Sequence, residues 1–189
     1  MSEPGSRETP GRPAGIEIVP LGGAPRPLIE RIARVVGGML GSDVSVAPAQ
    51  PLPEAAYQSS RGQYNASMIL DALRPVVWKR GWKRVGIIDA DIFATGLNFV
   101  FGQADLSGST AVVSLRRLGN EFYGLPGDEN LLVERAAKEI IHEVGHTLGL
   151  VHCKSRTCVM YFSNSLTETD RKGMMFCPQC RSRVRGGKR

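Results

Sequence analysis

Histidine is scarce in this sequence. Three occur among 189 residues, and all three fall in one stretch, HEVGHTLGLVH, from His142 to His152. Cysteine is equally confined, with Cys153, Cys158, Cys177 and Cys180 as the whole complement. No run of about 18 uncharged apolar residues occurs, which argues against a membrane span. The opening MSEPGSRETPGRPAG has no apolar stretch and lacks the shape of a signal peptide. A cytoplasmic protein is therefore expected, and in a reducing cytosol clustered cysteines point to metal rather than disulfides. Aromatic residues make up 6% of the chain, and none is interleaved with Arg181, Arg183, Arg185, Lys188 and Arg189 at its basic end. That end offers no stacking platform for nucleic acid. A basic tail is more often solvated than bound.

An apolar content of 42% in 189 residues suits one domain with a real core. Residues 1–14 read as a flexible tail rich in Pro, Gly and Ser, residues 15–181 as a single catalytic domain, and residues 182–189 as a basic tail. GIEIVPLG (15–22) alternates as a first strand. RPLIERIARVVGGML places Leu28, Ile32, Val35 and Val36 on one helical face. DVSVAP (43–48) reads as a second strand, and PAQPLPEAAYQSSRGQ as a loop. YNASMILDALRPVVWKRG is a helix with Asn65 as N-cap and Pro75 as a kink. KRVGIIDADIF (83–93) is the best buried strand. LNFVFGQAD and STAVVSLRRL form an edge hairpin. LPGDENLLVERAAKEIIHEVGHTLGL is the longest helix. This order predicts a mixed α/β sandwich.

His142 and His146 stand four residues apart, so on a helix they share a face and can reach one ion. The periodicity predicts that Val133, Ala137, Ile140, Ile141, Val144 and Leu148 face the core. Arg135, Glu139, His142 and His146 would then look outward into a cleft. Glu143, about 100° round the helix, is placed to touch a water on that ion rather than the ion itself. Gly149 permits positive φ, ends the helix and lets the chain bring His152 back as a third ligand. Three imidazoles leave a fourth corner for water and substrate. H-E-x-x-H with G-x-x-H is a known zinc-protease pattern.

The cysteines follow C-x4-C and C-x2-C, with 18 residues between the pairs, as in structural zinc sites. Free buried thiols, or a redox pair at Cys177 and Cys180, are the alternatives. In an extended exit, His152 and Cys153 would point to opposite sides. Two zinc ions per chain follow, one catalytic and one structural, joined by a single peptide unit.

HEVGHTLGLVHC, followed by CVM and CPQC, resembles the archaemetzincins, a branch of the metzincin zinc proteases. The likeness extends over Gly86 to Cys180. It implies a metzincin-like α/β fold: a twisted mixed sheet, an active-site helix, and a small four-cysteine zinc subdomain at residues 153–180. It also implies hydrolysis of peptide or protein substrates by a zinc-bound water, with Glu143 as general base and acid. Met160 is implied as the methionine of the turn beneath the metal, with Met174 and Met175 as runners-up. Substrate is expected to add as a strand along the edge formed by Leu97, Asn98, Phe99, Val100, Phe101 and Gly102. The segment Arg116 to Asp128 would shape or cover the cleft. The competing class is a non-enzymatic zinc module contacting nucleic acid through its basic surface, which has no use for a carboxylate beside the ion.

Overall fold

A computed structural model describes residues 12–74 and 79–186. In chain order they form β1 (Gly15–Leu21), α1 (Arg26–Leu40), β2 (Asp43–Val46), β3 (Tyr57–Gln58), β4 (Gln63–Asn65), α2 (Ala66–Leu73), β5 (Trp82–Ile88), β6 (Ile92–Phe93), β7 (Gly102–Ala104), β8 (Thr110–Ser114), α3 (Glu129–Thr147), α4 (Leu166–Arg171) and α5 (Pro178–Gly186). The main sheet runs β2-β1-β5-β8-β7. Its first four strands are parallel, and β7 closes the edge antiparallel to β8.

Alternation splits each strand between two cores. Ile16, Ile18, Val85, Ile87, Ala111 and Val113 meet α1 and α3 on one face. Val19, Leu21, Ile88 and Val112 meet Ile69, Leu70 and Leu73 of α2 on the other. The active-site helix is thus pressed against a sheet whose edge strand lies beside it. That is the mixed α/β architecture expected from the sequence.

Several boundaries differ from the reading of the sequence. The strand expected over 83–93 breaks after Ile88, because β6 pairs with β4 in a second sheet of order β3-β4-β6. The stretch 48–63, expected to be a loop, contributes β3 and the first residue of β4 to that sheet. The Asn65 cap is present, its side chain accepting from the amides of Ser67 and Met68. Helix α2 ends at Leu73, and Pro75 lies outside the described residues. On α1 the fully buried face is Ile29, Ile32, Ala33 and Val36, with Leu28 and Val35 only partly buried.

Some described residues of the two expected tails are structured. Pro13 accepts a hydrogen bond from Ser42, and Ala14 donates to Gly81. The basic segment is helical as far as Gly186, with Pro178 in the first helical position.

Candidate active site

The site is built on the last two turns of α3. The Asp128 side chain caps the helix by accepting from Leu131 N at 3.0 Å. Gly149, at φ +87, turns the chain away immediately after the helix. One nitrogen from each of His142, His146 and His152 then lies within 4.8 Å of the others.

The tautomers follow from the hydrogen bonds. A carbonyl can only accept, so His142 Nδ1–H donates to Val159 O at 2.8 Å and His146 Nδ1–H to Leu150 O at 2.7 Å. Both Nε2 atoms therefore carry lone pairs, and they face each other at 3.1 Å. Burial holds all three imidazoles below the ordinary histidine pKa, His142 furthest, which keeps them neutral. Two neutral acceptors at that distance repel unless a cation lies between them. Tetrahedral zinc bonds of about 2.0–2.1 Å put nitrogens about 3.4 Å apart, so the donor set fits zinc.

The thiols fit a second ion. Cys153, Cys158, Cys177 and Cys180 are all free, with their sulfurs within 4.8 Å of one another. Cys153 Sγ and Cys177 Sγ are 3.8 Å apart, too far for a disulfide and close to the edge of a tetrahedron with zinc–sulfur bonds of about 2.3 Å. The backbone N–H of Cys180 chiefly draws the Cys177 thiol down to about 7, while burial pushes Cys158 and Cys180 up. The Cys177 N–H donates to Cys158 Sγ at 3.3 Å, which suits a thiolate.

Glu143 is 5% exposed and lines a cavity of about 600 Å³ with the three histidines. Burial pushes its carboxyl well above the usual range. Glu139 adds to that, and Lys172 pulls the other way. Met160 is fully buried with its thioether against Gly145, the small residue of H-E-V-G-H.

The profile of Peptidase family M54 matches residues 45–186. The chain belongs to that family. It is 42% identical over 163 residues to the archaemetzincin of Methanocaldococcus jannaschii, covering 86% of this chain and 88% of the relative. To the archaemetzincin of Methanopyrus kandleri it is 45% identical over 166 residues, covering 85% and 90%. The crystal structure of Archaeoglobus fulgidus archaemetzincin complexed with malonate superposes with a TM-score of 0.78 at 40% identity, covering 89% of this chain and 98% of that one. A zinc-dependent peptidase from Methanocorpusculum labreanum gives 0.80 at 29% identity, covering 90% and 100%. The resemblance read from the motifs holds, and the protein is a zinc metallopeptidase with the archaemetzincin fold.

Within this M54 peptidase, two expectations need correction. The polar side of α3 faces the cleft only in part: Glu139, His142 and His146 line the cavity as expected, whereas Arg135, 4% exposed, does not. Helix α4 and the residue after it cover that side. Arg135 forms a two-pronged pair with Asp170 at 2.6 and 2.8 Å, and Lys138 donates to the carbonyls of Thr169 and Asp170. Lys172 meets Glu139 at 2.9 Å with neither side chain open to water. Periodicity could not anticipate this, because α4 is short and follows the helix by 18 residues.

The edge strand is also shorter than expected. Of Leu97 to Gly102 only Gly102 is in β7; the other five belong to a loop, although all six line the cavity. No residue of Arg116 to Asp128 lines it.

Two further features of the site were not anticipated. Phe162 packs on His152 with ring centroids 4.6 Å apart. A Cβ on Gly102 would lie 2.8 Å from Glu143 Cγ and Oε1, so the bare backbone there makes room for the carboxylate. A glycine inside an apolar strand pattern was the available clue to a close approach.

Proposed function

We propose that Glu143 is the general base and acid of peptide-bond hydrolysis, with His142, His146 and His152 holding a catalytic zinc and the four cysteines a structural one. The observation that carries this reading is a buried carboxylate sharing one cavity with three convergent, neutral imidazoles. A zinc ion there supplies Lewis-acid chemistry, acidifying water and polarising a carbonyl. Glu143 takes a proton from the attacking water and passes it to the leaving amine. The carbonyls of Val159 and Leu150 fix the two imidazole rings through Nδ1, leaving Nε2 for the metal. Met160 packs beneath that helix turn.

Substrate is bound along the loop at 97–101 and the short edge strand, which together form the wall facing α3. Four free thiols support a reducing, cytoplasmic setting. Among the described residues no helix is long and apolar enough to cross a membrane.

Two measurements test the proposal. Elemental analysis is expected to give about two zinc ions per chain. Glu143→Gln is expected to keep both while hydrolysis falls by about 10²-fold or more. Equal cleavage by wild type and variant removes Glu143 from the mechanism, and a single zinc ion per chain removes one of the two sites.

A further inference from the structure

The wall of the cleft facing α3 carries Leu97, Phe99 and Phe101. The β7 ladder begins only at Gly102, so the carbonyls of Leu97 and Asn98 have no strand partner. Side chains replace that partner. Arg61 Nη2 donates to Leu97 O at 3.2 Å and to Asn98 O at 2.9 Å. Gln63 Nε2 donates to Asn98 O at 3.0 Å and to Asp91 Oδ2 at 2.9 Å. Arg61 Nε in turn donates to Gln63 Oε1 at 2.8 Å.

Asp91 is gripped from behind by Arg117 through two bonds of 2.7 Å. The Arg117 guanidinium also packs 4.3 Å from the Phe99 ring, and Arg61 packs 4.3 Å from Phe93. Gln63 is 6% exposed, so its bonds are shielded from water. The chain thus runs Arg61, Gln63, Asp91, Arg117 and returns to the wall at Phe99. Backbone bonds hold the far end of the wall, Val100 N donating to Ile92 O at 3.0 Å and Ser114 N to Phe101 O at 2.8 Å, but the part carrying the Leu97 and Asn98 carbonyls has no ladder and opens easily. Here charge-assisted bonds supply the missing order.

We infer that Arg61 is a positioning residue for substrate: by holding the carbonyls of Leu97 and Asn98 it sets the apolar wall at a fixed distance from Glu143. The small second sheet, which carries Arg61 and Gln63, then serves as a bracket for the cleft. The wall selects an apolar side chain of the peptide. Among the described residues, the only ionisable groups lining the cavity besides the histidines are Glu139 and Glu143, and Glu139 is committed to Lys172. This inference rests on the peptidase reading of the site.

The test compares two probes on the zinc-loaded full chain. Acetohydroxamate reaches the metal alone, whereas N-acetyl-leucyl hydroxamate also reaches the wall. Arg61 is exposed, so Arg61→Ala leaves both cores intact. The variant is expected to bind the leucyl probe about tenfold more weakly while acetohydroxamate stays within about twofold. Amide exchange at 97–101 is expected to speed up. Arg61→Lys gives an intermediate loss, because one ammonium cannot replace the fork. Unchanged affinity for both probes overturns the inference, as does a parallel loss for both, which places the effect at the metal. Wild type binding neither probe sinks the peptidase reading and this inference with it. Hydrolysis by Glu143→Gln sinks only the assigned base and leaves the probe comparison standing.

Discussion

His142 donates its Nδ1–H to the carbonyl oxygen of Val159 at 2.8 Å, and Val159 is the residue after Cys158. One residue further on, Met160 O accepts from Cys153 N at 2.8 Å. Three consecutive residues thus connect the four-thiol cluster, the first imidazole and the underside of the active-site helix. The imidazole and thiol clusters meet at His152–Cys153 and again at Cys158–Met160.

Cys158→Ser should therefore damage both sites. The melting temperature is expected to fall by about 10 °C through loss of the structural metal. Zinc affinity at the three imidazoles is expected to weaken about tenfold, the usual effect of disturbing a group that orients a ligand. A competitive chelator titration resolves the two sites. Unchanged affinity at the histidines would show that the Val159 carbonyl stays in place without the cluster.

Gly145→Ala should be costly despite lying in a helix, where alanine is ordinarily favoured. The added Cβ meets Met160 Sδ and lies 3.0 Å from Phe176 Cε1. A loss of about 1–3 kcal/mol is expected from overpacking. Adding Met160→Ala removes the clash, so urea denaturation of the double variant should show less than the sum of the single losses. Additive losses would mean that the two residues do not press on each other.

Gly102→Ala addresses the carboxylate. Its Cβ would lie 2.8 Å from Glu143 Oε1 and 2.9 Å from the carbonyl oxygen of Val112. The turnover number is expected to drop at least about tenfold with zinc content unchanged, since a misplaced base loses its proton-transfer geometry. Wild-type turnover would show that the edge strand yields instead.

Acid should destabilise the metal-free protein, prepared by dialysis against a chelator. His142, His146 and His152 are held below the ordinary value by burial, so the unfolded chain binds more protons below about pH 6.5. Their contribution to stability is present above that pH and is lost as pH falls. Glu143 works the other way, because its raised pKa costs stability as pH rises above about 4.3. Three imidazoles outweigh one carboxyl, so urea midpoints should fall between about pH 6.5 and 5. A flat or rising midpoint would contradict the burial of the rings.

Much of the site was legible because its geometry is local. The i,i+4 spacing of His142 and His146, the glycine exit at Gly149 and the adjacency of His152 to Cys153 are properties of a few consecutive residues. Edges were less legible. The expected strand from Leu97 contracted to Gly102–Ala104 because side chains from a second sheet, absent from the linear reading, took over the carbonyls of Leu97 and Asn98. On the side of α3 expected to face outward, Arg135 and Glu139 are buried because Asp170 and Lys172, distant in sequence, supply their partners.

The sequence by itself determined the clustering of three imidazoles and of four thiols, the helix that carries His142 and His146 and the mixed α/β order, since helical periodicity and turn residues act within a few positions. Only the tertiary structure decided which polar groups are buried, which carbonyl holds His142 and how the cleft wall is braced. Those choices depend on charges and backbone groups brought together from distant parts of the chain, where burial without a partner would be too costly.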